Sequence, residues 1–202
     1  PRGAAHESTF VTGVLPSQEW KRNYFRKSPA NQKWFPGETI SLGIGQGYNS
    51  FTMLQLAQAT ATLVNNGIKH KPRLVIATQD SMTRVLTPQP LAPAEDLGYK
   101  PENVAIVRKG LYGVTQGGTS TRVFAGAGYT SGGKTGTAQA VTMAAKGKYN
   151  SAKMEEHQRD HSLYIAMAPV EDPKIALALV VENAGWGAAA AAPIARRVFD
   201  FV

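Results

Sequence analysis

Cysteine is absent from the 202 residues, which excludes a disulfide framework, a zinc–thiolate site and a cysteine nucleophile. Long apolar runs are absent too. The longest, Ile175 to Val181, falls far short of the roughly 20 residues a membrane-spanning helix needs, and no signal peptide is visible. There is no internal repeat, and the only low-complexity tract is Ala188 to Ala192. Acidic residues are scarce: 14 Asp and Glu stand against 22 Lys and Arg, a net charge of +8 that favours polyanions, anionic surfaces or carboxylate-bearing substrates. Hydrophobic residues make up 43%, enough for a packed core and too many for whole-chain disorder. The length suits one domain or a large part of one. The chain opens Pro1-Arg2-Gly3 rather than with methionine, so it reads as a piece of something longer.

Residues 1–50 read as mostly loop, with Gly43, Gly45 and Gly47 marking tight turns. A helix is expected over Thr52 to Asn66. Thr52 and Gln55 have capping-box spacing, Leu54, Ala57, Ala61 and Val64 recur at helical intervals, and Asn66-Gly67 is a stop. Pro72 to Leu86 reads as one or two strands. Pro101 to Gln116 reads as a helix with Pro at its start and Val104, Val107, Leu111 and Val114 on one face. Two strands, Ser162 to Ala168 and Lys174 to Glu182, suit an antiparallel pair. A last helix from Pro193 carries Ile194, Val198 and Phe201 on one side. The pattern is α+β.

The chemistry concentrates in Gly132-Gly133-Lys134-Thr135-Gly136-Thr137-Ala138-Gln139. Three readings compete. Gly128 to Thr135 matches the phosphate loop G-x-x-x-x-G-K-[ST] letter for letter, but such a loop must follow a buried strand and open a helix, and Gly136 lies where the first helical turn should be. Ser131-Gly132-Gly133-Lys134 spells S-x-x-K, a serine nucleophile with its lysine base, yet two glycines are the worst filling for the helical turn that motif needs. Lys134-Thr135-Gly136 spells the K-T-G of the same serine acyltransferases, on a strand bordering a cleft. There, Gly136 leaves room for a substrate lying along the strand, while Lys134, Thr135 and Thr137 suit a terminal carboxylate.

Other motifs stand in a fixed order around this cluster. Gly13-Val14-Leu15-Pro16-Ser17-Gln18-Glu19-Trp20 comes first, then Pro36-Gly37-Glu38-Thr39-Ile40 and Gly43-Ile44-Gly45-Gln46-Gly47-Tyr48. Leu54-Gln55-Leu56-Ala57-Gln58-Ala59 precedes the cluster. Asp160-His161-Ser162, Ala166-Met167-Ala168-Pro169, Val181-Glu182-Asn183 and Ala192-Pro193-Ile194-Ala195 follow it. In this ordered set the chain resembles the class B penicillin-binding transpeptidases of the elongation type, the penicillin-binding protein 2 group, from about residue 12 onward.

The resemblance implies a penicillin-binding/serine β-lactamase-like transpeptidase fold, an antiparallel sheet flanked by helices, with Tyr129 to Val141 as its cleft-edge strand. Residues 1–202 would be the C-terminal portion of one transpeptidase domain. It implies a D,D-transpeptidase that cross-links peptidoglycan stem peptides through a serine acyl-enzyme and is inhibited by β-lactams. Lys134, Thr135 and Thr137 would hold the ligand carboxylate, and the backbone N–H of Thr137 would be one oxyanion donor. Gly185-Trp186-Gly187 would rim the cleft. Glycan-polymerising and scaffold proteins of the elongation machinery would be the partners, on the periplasmic face of the bacterial inner membrane, with membrane attachment only through a segment not in this sequence. The family's helical S-x-x-K and its S-x-N are not found here, so this chain alone is expected to be inactive. No cofactor or metal is implied.

Two further features read as structural. Trp20 to Phe35 interleaves five basic residues with five aromatics, which stacked bases would also suit, but it is read as a surface segment with inward aromatics, not a nucleic-acid site. His157 and His161 have metal-ligand spacing without a third ligand and read as a solvated loop. A nucleotide-binding phosphate loop, or a purely structural or partner-binding module, remains the alternative.

Overall fold

The structure, a computed structural model, describes residues 12–138 and 159–202. These fall into two compact units, Pro1–Gln55 and Leu56–Val202.

The first unit is more helical than its glycines and prolines predict. Helix α1, Gln18–Tyr24, is capped by Ser17, whose hydroxyl accepts the Trp20 N–H at 3.0 Å. Helix α2, Pro36–Gly43, starts with Pro at its first position, and Glu38, three residues after the N-cap Phe35, accepts the Phe35 N–H at 2.7 Å. The loop expectation is therefore corrected here. The turns are where expected: Gly45 and Gly47 take positive φ of 78° and 73°, and Val14 bridges Ser50. Lys21 is buried and reaches Glu38 Oε1 at 2.5 Å and the Lys33 carbonyl at 2.7 Å. One cation of the basic stretch is thus structural. Trp20 stacks on Tyr24 with ring centroids 4.8 Å apart, yet Tyr24 stays exposed, so the aromatics are not all inward.

Helix α3, Met53–Val64, has the reciprocal Thr52–Gln55 cap and ends at Asn66 and Gly67, both at positive φ. Strand β1, Ile68–Lys69, follows. In place of the strands expected over Pro72 to Leu86, a short hairpin forms from β2, Ala77–Gln79, and β3, Leu86–Pro88, which runs past that range, and its turn is organised by Asp80 Oδ1 accepting the N–H groups of Met82 and Thr83. Strand β4, Glu95–Asp96, pairs with β1. Helix α4, Pro101–Gln116, has the predicted bounds; Val104 is buried, but Val107 is exposed. A short helix α5, Thr121–Phe124, leads to the main sheet.

That sheet is antiparallel with order β5-β6-β7: Gly132–Ala138, His161–Ala168 and Ile175–Val181. Helix α6, Ala191–Phe201, covers one face and buries Ala191, Ala192, Ala195 and Phe199 against Tyr164, Ala166 and Phe124. This corrects the predicted side. Ile194, Val198 and Phe201 are 41%, 36% and 93% exposed. The reason is volume. Tyr164 and Phe124 fill the sheet side, so alanines let the helix close on it. Helix α4 covers the other face.

Candidate active site

Strand β5 is placed by its glycines. A Cβ at Gly132 would stand 3.1 Å from the Leu111 backbone of α4, and one at Gly133 would stand 2.5 Å from the Tyr164 hydroxyl. The glycines thus let helix and aromatic close directly on the strand. The Thr115 hydroxyl donates to the Ser131 carbonyl at 2.6 Å, fastening α4 to the strand's entry. Burial pushes the Tyr164 phenol up, while the buried Ser120 hydroxyl beside it acts the other way; neither hydroxyl completes a hydrogen bond by distance and angle.

On this support β5 presents the predicted cluster. Lys134 is exposed and curls so that Nζ donates to the Thr135 carbonyl at 2.7 Å. The Thr135 hydroxyl lies 3.2 Å from that of Thr119, in the turn after α4. Gly136 and Thr137 pair with Leu163 and Ser162 of β6. Among the described residues the other edge of β5 has no strand partner, so an extended ligand can lie there. A Cβ at Gly136 would come within 3.1 Å of Leu163 Cβ, so its missing side chain also has an intramolecular reason.

The segment after β7 is pinned to the same end of the sheet. The Asn183 N–H donates to His161 Nδ1 at 3.0 Å, and the Gly185 N–H donates to the Asp160 carbonyl at 2.8 Å. The Ser162 hydroxyl, fully buried, donates to the Trp186 carbonyl at 3.0 Å and accepts the Ala191 N–H at 3.1 Å. Gly187 then rests on the strands: a Cβ there would be 2.5 Å from the Leu163 carbonyl oxygen and 2.6 Å from that of Gly136. Trp186 stays 75% exposed. Gly185, Trp186 and Gly187 are thus brought to the Lys134–Thr137 strand. Thr119 and Ser162 were not anticipated as parts of this arrangement. Gly117-Gly118 marks the Thr119 turn, but nothing in spacing says where that turn points.

The geometry removes two of the three readings. Lys134 and Thr135 lie inside a strand, not at the helix N-terminus where a phosphate loop places them. Ser131 is buried at a strand's start, not one helical turn from an amine. His161 opens β6; His157 lies outside the described residues, as do Gln139 and the end of the predicted Tyr129 to Val141 strand.

Residues 21–200 match the family model described as the penicillin-binding protein transpeptidase domain. The chain belongs to this penicillin-binding transpeptidase family. It is 38% identical over 196 residues to the peptidoglycan D,D-transpeptidase MrdA of Haemophilus influenzae, a match covering 93% of this chain and 28% of that protein. Its fold is similar to that of Pseudomonas aeruginosa PBP2, solved in complex with WCK 5153, with TM-score 0.68, 34% identity, and 95% of this chain and 38% of that one covered. It is also similar to Helicobacter pylori PBP2, solved in complex with MreC, at TM-score 0.68 and 25% identity, covering 95% of this chain and 32% of that one. The chain therefore carries the penicillin-binding transpeptidase fold and spans under a third of the length of the curated relative. Among the described residues no helix is long and apolar enough to cross a membrane.

Proposed function

We propose that this chain is the C-terminal portion of the transpeptidase domain of an elongation-type, serine-dependent peptidoglycan D,D-transpeptidase, and that it contributes the Lys134–Thr137 wall of the cleft. The observation that carries the reading is the seating of Lys134, Thr135 and Thr137 on an edge strand whose glycines are consumed by packing. Lys134 supplies positive charge and the two hydroxyls supply donors for the terminal carboxylate of a stem peptide or β-lactam. The Thr137 N–H serves as one oxyanion donor, a role worth about 10²–10³ in rate in acyl-transfer enzymes. Gly185 and Trp186 rim the cleft. The nucleophilic serine and its lysine base come from elsewhere in the longer protein, so this chain alone forms no acyl-enzyme. Similarity to a PBP2 solved with MreC supports scaffold proteins as partners, together with a glycan polymerase, at the periplasmic face of the inner membrane.

Labelling with a fluorescent penicillin tests this. The full-length protein takes up the label, and Lys134→Ala slows its uptake by at least about tenfold, the loss expected for a charge-assisted contact. The isolated chain stays unlabelled. Covalent label on the isolated chain at a mapped serine overturns the division of labour. A melting temperature raised by ATP–magnesium overturns the whole reading.

A further inference from the structure

Resting on the transpeptidase reading, we infer that Thr119 is a positioning residue for Thr135, donating its hydroxyl hydrogen to Thr135 Oγ1 so that Thr135 turns its own hydrogen toward a ligand carboxylate. The two oxygens are 3.2 Å apart, and either can be the donor. Among the described residues no other group hydrogen-bonds to either hydroxyl. A hydroxyl has one hydrogen and two lone pairs. If Thr135 donates to Thr119, it offers an arriving carboxylate only lone pairs, and the contact is repulsive. The order Thr119 to Thr135 to carboxylate satisfies both hydroxyls, and such a chain polarises the outer hydrogen toward the anion.

The turn that holds Thr119 is built for a fixed position. Gly118 folds tightly across the end of α4, where a Cβ would stand 2.8 Å from Val114 Cα. Ser120, fully buried, donates its N–H to the Val114 carbonyl at 3.0 Å. The Thr121 hydroxyl donates to the Gly118 carbonyl at 2.9 Å. Thr119 is thus held between anchored neighbours, yet its own side chain takes no part in the turn. It is exposed and spends its hydroxyl on the strand that carries Lys134.

The test uses the full-length protein with Thr119→Val, Thr119→Ser, Thr135→Val and the Thr119→Val/Thr135→Val double variant. The readouts are the second-order rate of acylation by a carboxylate-bearing penicillin and the melting temperature. Thr119→Val should slow acylation about tenfold at an unchanged melting temperature, and Thr119→Ser should stay within about twofold of wild type. The double variant should be no slower than Thr135→Val, because Thr119 acts only through Thr135. Three results overturn the inference and leave the transpeptidase reading standing: wild-type acylation in Thr119→Val, equal slowing in Thr119→Ser, or single losses that multiply in the double variant. A wild-type protein that takes up no penicillin overturns the transpeptidase reading and this inference with it.

Discussion

Replacing Gly187 by alanine should disturb the candidate site from behind. The added Cβ would meet the Leu163 carbonyl oxygen at 2.5 Å, the Gly136 carbonyl oxygen at 2.6 Å and the Gly136 nitrogen at 3.0 Å. All three are backbone atoms, so no flexible side chain can swing away. Real Cβ atoms stay beyond 3.0 Å and nine in ten beyond 3.4 Å, so loop and strand must part by about 0.5–0.9 Å. Overpacking of this kind costs about 1–3 kcal/mol. If half of the movement falls on β5, Lys134 and Thr137 shift by a few tenths of an ångström. A misplacement of about 1 Å can cost about 10²-fold in rate, so a loss of about three- to tenfold in penicillin acylation is expected. The assay pairs thermal unfolding with the labelling rate of the full-length protein. Gly110→Ala is the control: it sits at an exposed position of α4 with nothing within 4 Å of the new Cβ and should stabilise by about 0.5–1 kcal/mol without slowing labelling. Wild-type stability and rate in Gly187→Ala would refute the seating of this loop on β5.

Two further outcomes follow from paired groups elsewhere. Lys21→Met removes the buried partner of Glu38 and strands the Lys33 carbonyl; because Glu38 is partly solvated, the cost is about 2 kcal/mol, read by denaturant unfolding. Lys21 also holds the Glu38 carboxyl below its usual range against the opposing pull of desolvation, so this stability is present above about pH 4.5 and is lost as the pH falls through the lowered folded value. Tyr129 is pushed up to about 12 by desolvation and by its hydrogen bond to Asp200, and burial also raises Tyr164, so phenolate absorbance should show more than one tyrosine ionising late, and Tyr129→Phe should remove one tyrosine from that late phase while Tyr164 remains. The Tyr129 contribution to stability is intact below about pH 10 and is lost as the pH rises through 12.

How much of this was legible depended on whether the deciding partner was local. The α4 bounds, the Thr52–Gln55 cap and the β6–β7 pair were readable, because Pro101, a reciprocal side-chain cap and a six-residue connection each act within a few residues. Helices α1 and α2 were hidden by glycine and proline counted as breakers, although Pro36 stands at a first helical position and Glu38 at the capping one. The buried side of α6 was not readable at all. Its helical spacing offers Ile194, Val198 and Phe201 as readily as Ala195 and Phe199, and only the bulk of Tyr164 across the interface selects the small side.

The same distinction explains why the lysine-glycine cluster was ambiguous as a string. Glycine marks a place where something comes close to backbone, without saying what. A phosphate loop and a cleft strand both need that, so the letters match both. Here each approach is internal: α4 at Gly132, Tyr164 at Gly133, and Leu163 and the Gly187 loop around Gly136. Among the described residues the side-chain space of these glycines is taken up by the protein itself, and Gly132 to Gly136 run as extended strand, not as the loop that wraps a phosphate. In the proposed function, anion binding rests on the side chains of Lys134, Thr135 and Thr137 and on an edge strand. That geometry suits a carboxylate at the end of an extended peptide better than a chain of phosphates. On that reading the site is only as well placed as the surfaces behind it, and the contacts of Thr119 with β5, of Gly187 with β5 and β6, and of Ser162 with the loop after β7 are where the proposed chemistry is to be tested outside the motif.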